Sequence, residues 1–150
     1  MLGALANKVD AVFPSSLRQL LTDVGLLVLR VSAGLMMASH GWGKLSTWSE
    51  KVDKFPDPIG VGSTPSLALA VFAEFFCAGL VALGLATRAA AIPVVITMLV
   101  AALIVHGEDP WQRKELAVLF LSAFVTVILT GPGKFSLDAL LMRRARSKES

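Results

Sequence analysis

The sequence predicts an all-α membrane protein, an antiparallel four-transmembrane-helix bundle followed by a short C-terminal interfacial helix. Three observations carry this. The 150 residues are 55% hydrophobic and 17% charged, with a mean hydropathy of +0.69, whereas an average soluble domain is about 25% charged. The apolar residues fall into four blocks, each near the ~20 residues needed to span a ~30 Å hydrocarbon core. The blocks also lack the polar face that a soluble amphipathic helix shows to water. At this length one domain, residues 1–150, is expected.

The stretch from Leu2 to Leu21 is weakly amphipathic and is broken by Pro14. A first helix is expected over residues 24–45. It starts too far in and is too long for the apolar core of a cleaved signal peptide, and it carries Arg30. A second helix is expected over 66–86 and a third over 89–106. Only Thr87 and Arg88 separate their apolar blocks, so they form a tight antiparallel pair. Pro93 lies inside the third, where a membrane helix tolerates a kink. Ala78, Ala82 and Ala86, with Gly79 and Gly84, give the second helix small residues for close approach. The fourth helix is expected over 114–130 and ends at Gly131-Pro132-Gly133. Ser136 then reads as the N-cap of an interfacial helix over 137–146, with Leu137, Leu140 and Leu141 on one side.

Charge sets the expected orientation. With four spans, one side holds both termini and the Thr87–Arg88 turn. It carries Lys8, Arg18, Arg88, Lys134, Arg143, Arg144, Arg146 and Lys148. The other side carries Lys44, Lys51, Lys54, Arg113 and Lys114, offset by Glu50, Asp53, Asp57, Glu108 and Asp109. The excess places both termini in the cytoplasm. Trp42, Trp48 and Trp111 all fall on the outer side, where an aromatic belt belongs. The basic tail suits anionic lipid, and without base-stacking aromatics it argues against nucleic acid. The one cysteine, Cys77, excludes an intrachain disulfide and reads as a buried thiol.

Two charges sit inside apolar blocks, Arg30 and Glu74. Each costs on the order of 2.5–3.5 kcal/mol at mid-membrane. The expectation is a buried ion pair between them, joining the first two helices. At 100° per residue, Arg30, Gly34, Met37, His40, Gly41 and Lys44 share one face of the first helix. His40 and His106, the only histidines, fall at one depth near the outer ends of their helices. Glu115 begins the fourth helix there, with Ser122 and Thr126 following on its face. The candidate polar site is therefore His40, Lys44, His106 and Glu115, above Arg30 and Glu74. Its readings are interfacial polar caps, a site for a polar-headed lipophilic ligand such as a quinone, or ligation of a metal or haem. Two histidines without an HExxH or Cys/His cluster do not define a metal site, and no metal is expected.

Several strings resemble the DoxX family: Leu29-Arg30, His40-Gly41-Trp42-Gly43-Lys44-Leu45, Ala73-Glu74-Phe75, Leu83-Gly84-Leu85, Thr87-Arg88, His106, and Gly131-Pro132-Gly133-Lys134-Phe135-Ser136-Leu137-Asp138. The resemblance runs from about Val24 to Leu140. It implies a four-helix bacterial inner-membrane protein, related to a thiosulfate:quinone oxidoreductase subunit. Some members of that family belong to complexes handling thiol and oxidative stress. The chain has neither a cysteine pair nor a nucleotide-binding motif, so redox chemistry would need a partner protein or a bound quinone. The functions in play are a membrane subunit of a quinone-linked oxidoreductase, a scaffold that recruits partners through the Ser46–Pro65 loop, and a small-solute or proton transporter subunit. Self-association into a homo-oligomer fits the narrow width of four helices.

Overall fold

The computed structural model describes residues 14–149. It is all-helical, with no strand among the described residues. Helix α1 spans Ser15–Ser46, α2 is the single turn Trp48–Lys51, α3 spans Ser63–Leu83, α4 spans Thr87–Val105, α5 spans Trp111–Thr130 and α6 spans Leu137–Glu149. Helices α1, α3 and α4 are long and apolar enough to cross a membrane. The 20-residue α5 carries Arg113, Lys114 and Glu115 near its start and is apolar only from Leu116 onward.

Helices α1, α3, α4 and α5 share one core. It is built from Ala33 and Met37 of α1, Cys77, Ala78 and Val81 of α3, Val94 and Met98 of α4, and Phe120, Phe124 and Val127 of α5. Ala117, Phe120, Phe124 and Val127 recur every three or four residues, which puts them on one stripe of α5. The opposite surfaces remain apolar, with Leu35, Phe72, Phe76, Leu103, Leu119 and Leu129 all exposed. Large apolar side chains facing outward on every long helix suit lipid as the surrounding solvent.

Helix α1 begins at Ser15, earlier than the expected Val24. Pro14 stands just ahead of the helix rather than within it, and its carbonyl accepts from the Arg18 amide. Proline is well suited to a helix start because it lacks the N–H that would go unpaired there. The residues of the Leu2–Leu21 stretch ahead of Pro14, and Lys8 with them, lie outside the described residues. From Ser15 to Leu29 the helix is mostly exposed, and at ~1.5 Å per residue it extends about 22 Å.

Glycine fixes how α1 meets α3. A methyl group on Gly34 would stand 2.8 Å from the Ala78 carbonyl oxygen and from Ala82 Cβ. One on Gly41 would stand 2.5 Å from the Phe75 amide nitrogen and 2.7 Å from the Glu74 carbonyl carbon. Two glycines seven residues apart thus let the backbones touch at two levels and set the register.

The α3–α4 turn and the segment after α5 clasp each other at one end of the bundle, the turn end. Gly84 ends α3 in the left-handed region at φ 73°. Its carbonyl accepts from the Asp138 amide at 2.8 Å. The Asp138 carboxylate accepts from the Ala86 amide (2.8 Å), the Thr87 amide (2.9 Å) and the Thr87 hydroxyl (2.8 Å). It thereby caps the unpaired N–H groups that open α4. Burial would raise the Asp138 carboxyl, but these bonds outweigh it and hold the group below the ordinary aspartate range.

Candidate functional site

Arg30 belongs to the clasp. Its guanidinium donates to the Val81 carbonyl (3.0 Å), the Ala82 carbonyl (2.7 Å) and the Phe135 carbonyl (2.7 Å). The Val81 and Ala82 carbonyls belong to the last turn of α3, where the helix dipole is negative, and Val81 accepts from the Gly84 amide as well. A planar fork with several donors satisfies such a group of acceptors as a lysine cannot. Arg30 is 2% exposed, and backbone carbonyls rather than Glu74 receive its guanidinium.

Glu74 lies at the opposite level. It is 4% exposed, and its carboxylate pairs with the Lys44 ammonium. The expected Arg30–Glu74 ion pair is therefore not formed. Gly34 on Ala78 and Gly41 on Glu74 fix an antiparallel register that sets Arg30 beside Val81 and Lys44 beside Glu74. Eleven residues of α1 separate Arg30 from Gly41, about 16 Å of helix.

The backbone is irregular around Glu74. Residues Phe72–Cys77 of α3 form a π-helical segment, and Ala101–Val105 form a second at the end of α4. The first contains Glu74 and the second leads directly into His106. A π segment inserts a residue into the helical repeat and leaves carbonyls less well bonded, and such segments gather at functional sites. His106 Nδ1 lies 2.8 Å from Asp109 Oδ2, and Arg113 Nη1 lies 3.6 Å from the other carboxylate oxygen. The His106 bond, followed by the nearby cations, holds the Asp109 carboxyl below its usual range. With Nδ1 engaged, Nε2 is the ring nitrogen left for a ligand.

Two cavities meet at this level. The first, of about 180 Å³, is lined by Met37, His40, Lys44, Glu74, His106 and Arg113, with Phe120 on its α5 side. The His40 ring meets the Phe120 ring edge to face at 5.8 Å. The second, of about 350 Å³, lies between α3 and α4. Its walls are Leu69, Ala70, Ile96, Val100 and Val105, and Phe55, Pro56, Pro58 and Ile59 of the loop before α3 cover it. That loop is tied down by Asp57, which accepts from the Val61 and Gly62 amides and from the Ser66 hydroxyl at 2.7–2.9 Å. The Gly62 amide leads the bonds that hold the Asp57 carboxyl below its ordinary range. Lys44, Glu74, Ala101 and His106 line both cavities and form the wall between them.

Of the expected polar cluster, His40, Lys44 and His106 come together. Glu115 does not join them. It is exposed on α5 and lines neither cavity, and Ser122 and Thr126 on its side are exposed with their hydroxyls on their own helix carbonyls, Leu119 and Ser122. Glu74 takes the place of Glu115 as the acidic member. Among the described residues no group of three or more His, Cys, Asp or Glu side chains is placed to hold a metal ion.

Fold and site together define a helical membrane protein with a paired charge and a histidine set against an apolar cavity near one end. Two relatives share this kind of chain. The inner membrane protein YqjF of Escherichia coli is 27% identical over 128 residues, covering 83% of this chain and 97% of that one. An uncharacterized membrane protein of Mycobacterium tuberculosis, Rv3486, is 30% identical over 143 residues, covering 80% and 83%. The DoxX family profile matches residues 25–107, and the chain belongs to the DoxX family. No solved structure matches it. The matched span contains Arg30, His40, Lys44, Glu74 and His106.

Proposed function

We propose that this chain is the quinone-binding membrane subunit of an oxidoreductase in the bacterial inner membrane, crossing four times with both termini in the cytoplasm. One observation carries the reading. An apolar cavity between two lipid-facing helices ends on Lys44, Glu74 and His106. Its volume of about 350 Å³ is near the low end of the ~300–1,000 Å³ common for small-molecule pockets. A quinone has the matching form, an apolar body with carbonyl oxygens that accept from an ammonium or from the Nε2–H of an imidazolium and take up protons on reduction. With one cysteine in the chain, the electrons would come from a partner protein holding the redox centre.

The topology has its own support. Helix α5 is long enough at ~1.5 Å per residue to cross about 30 Å, and it buries one stripe in the common core while Leu116, Leu119 and Leu129 face outward. The turn end carries Arg88, Lys134 and the basic residues of α6. At the other end Lys44 is matched by Glu74, and Arg113 lies beside Asp109. The E. coli relative is an inner membrane protein by name. The loop before α3 lines the cavity, which favours the ligand reading over a scaffold that uses this loop for docking.

The test is direct. The protein is purified in mild detergent, its organic extract is analysed by mass spectrometry, and quenching of Trp42, Trp48 and Trp111 is followed as a ubiquinone analogue is added. The reading expects a co-purifying isoprenoid quinone or saturable quenching. An extract without quinone, together with no saturable affinity, overturns it.

A further inference from the structure

The two cavities share a wall but open in different directions. The polar one is bounded by His40 of α1 and by Arg113, Leu116 and Phe120 of α5. The apolar one has Leu69 of α3 and Ile96 of α4 in its wall, and these are 54% and 55% exposed on the outer surface of the bundle. Phe55, Pro56, Pro58 and Ile59 cover the loop end, and the Lys44–Glu74 pair and His106 close the inside. Leu69 and Ile96 thus give the cavity an apolar opening on the lipid-facing surface at the α3–α4 seam.

Resting on the quinone reading, we infer that the ligand reaches its site sideways from the bilayer. It passes through the seam headgroup first and leaves its tail in the lipid. The volume supports this. A cavity of about 350 Å³ accommodates a substituted ring and the first carbons of a chain, whereas a full isoprenoid tail needs far more space. The chemistry of the seam supports it as well. Leu69, Ile96 and Val100 offer no hydrogen bond to a headgroup in transit, the Ser66 and Thr97 hydroxyls in the lining already donate to Asp57 and to the Pro93 carbonyl, and the ionisable groups Lys44, Glu74 and His106 stand at the inner wall. A molecule dissolved in the membrane then reaches these groups without crossing water. The polar cavity on the far side of the wall stays open for exchange of water and protons.

The experiment uses the full chain in lipid nanodiscs and two probes, a long-tailed ubiquinone and the tail-less dimethoxy-methyl-benzoquinone. Stopped-flow tryptophan quenching reads the binding rate. The double variant Leu69→Phe/Ile96→Phe fills the seam without touching the core. It should slow the long-tailed probe about tenfold and the tail-less probe, of which only a ring has to pass, distinctly less. Ile96→Ala widens the seam and should speed the long-tailed probe. If the double variant binds both probes at wild-type rates or slows both alike, or if Ile96→Ala changes nothing, the lateral route is wrong while the quinone reading stands. If wild-type protein binds neither probe, both fall together.

Discussion

Replacing Gly41 with alanine adds one methyl group where α1 meets the π segment of α3. That Cβ would stand 2.5 Å from the Phe75 amide nitrogen and 2.7 Å from the Glu74 carbonyl carbon, against about 3.5–4.0 Å for an ordinary carbon contact. Both neighbours are helix backbone, so no rotamer change relieves the clash and the helices must part by about 1 Å. Overpacking of this kind costs about 1–3 kcal/mol. The gain in helix propensity on leaving glycine, about 0.8–1.0 kcal/mol, works against the loss. Gly43→Ala isolates that gain, because nothing lies within 4 Å of its added methyl. Thermal unfolding in detergent should therefore place Gly43→Ala at or above wild type, with Gly41→Ala below it by about 1–3 kcal/mol. Equal stability of the two variants would refute the register deduced for α1 and α3. A Gly41→Ala protein that folds should also hold Lys44 less well against Glu74 and bind a quinone analogue more weakly.

Three further outcomes follow from the same contacts. Lys44→Met strands a carboxylate whose side chain is 6% exposed, whereas Glu74→Gln strands an ammonium that is 25% exposed and can turn to water. The first should cost about 3–5 kcal/mol and the second less, with the double variant recovering part of the loss in a double-mutant cycle; additive losses would mean that the pair is not coupled. Asp138→Asn should lower the melting temperature at neutral pH by loosening the start of α4. The folded-state Asp138 carboxyl is held below its usual value, so its contribution is present above about pH 3.9 and fades as the pH falls below it. The gap between wild type and variant should therefore narrow in acid, and a gap that widens would contradict the sign. His106→Ala should weaken binding of a quinone analogue while Glu115→Ala leaves it unchanged, because only His106 lines the cavities; equal effects in a titration would remove His106 from the site.

The apolar blocks revealed α3 and α4 to within a few residues, because a helix surrounded by lipid has to be apolar along its length, while α5 begins at Trp111, three residues ahead of its expected start. The start of α1 was less legible. Arg18, Gln19, Thr22 and Asp23 resemble the end of a span, yet the backbone remains helical through them back to Ser15. The meeting of His40, Lys44 and His106 could be read from their distance to the helix ends. The partner of Glu74 could not be read that way, because it depends on register. A signal did exist. Gly34 and Gly41 lie on one face, and a small-residue match of Gly34 to Ala78 and Ala82 carries Gly41, seven residues on, to about Glu74 on an antiparallel neighbour. Lys44, one turn further, then falls beside that carboxylate. Glu115 was misplaced for a different reason. Glu115 stands at the start of α5, at the level of His106, but the stripe that α5 buries runs through Ala117 and Phe120. The clasp of Arg30 and Asp138 depends on three segments distant in sequence, and no local pattern announces it.

The central claim is that a quinone headgroup sits in the α3–α4 cavity against Lys44, Glu74 and His106. Photolabelling tests it most directly. A tailed azido-quinone is irradiated with the protein in nanodiscs, and the modified residues are found by peptide mass spectrometry. The account predicts labels on the α3 and α4 residues that line the cavity, among them Leu69, Ile96 and Val100, that are lost when excess unlabelled quinone competes. Labels scattered over the lipid-facing surface and indifferent to competitor would contradict it.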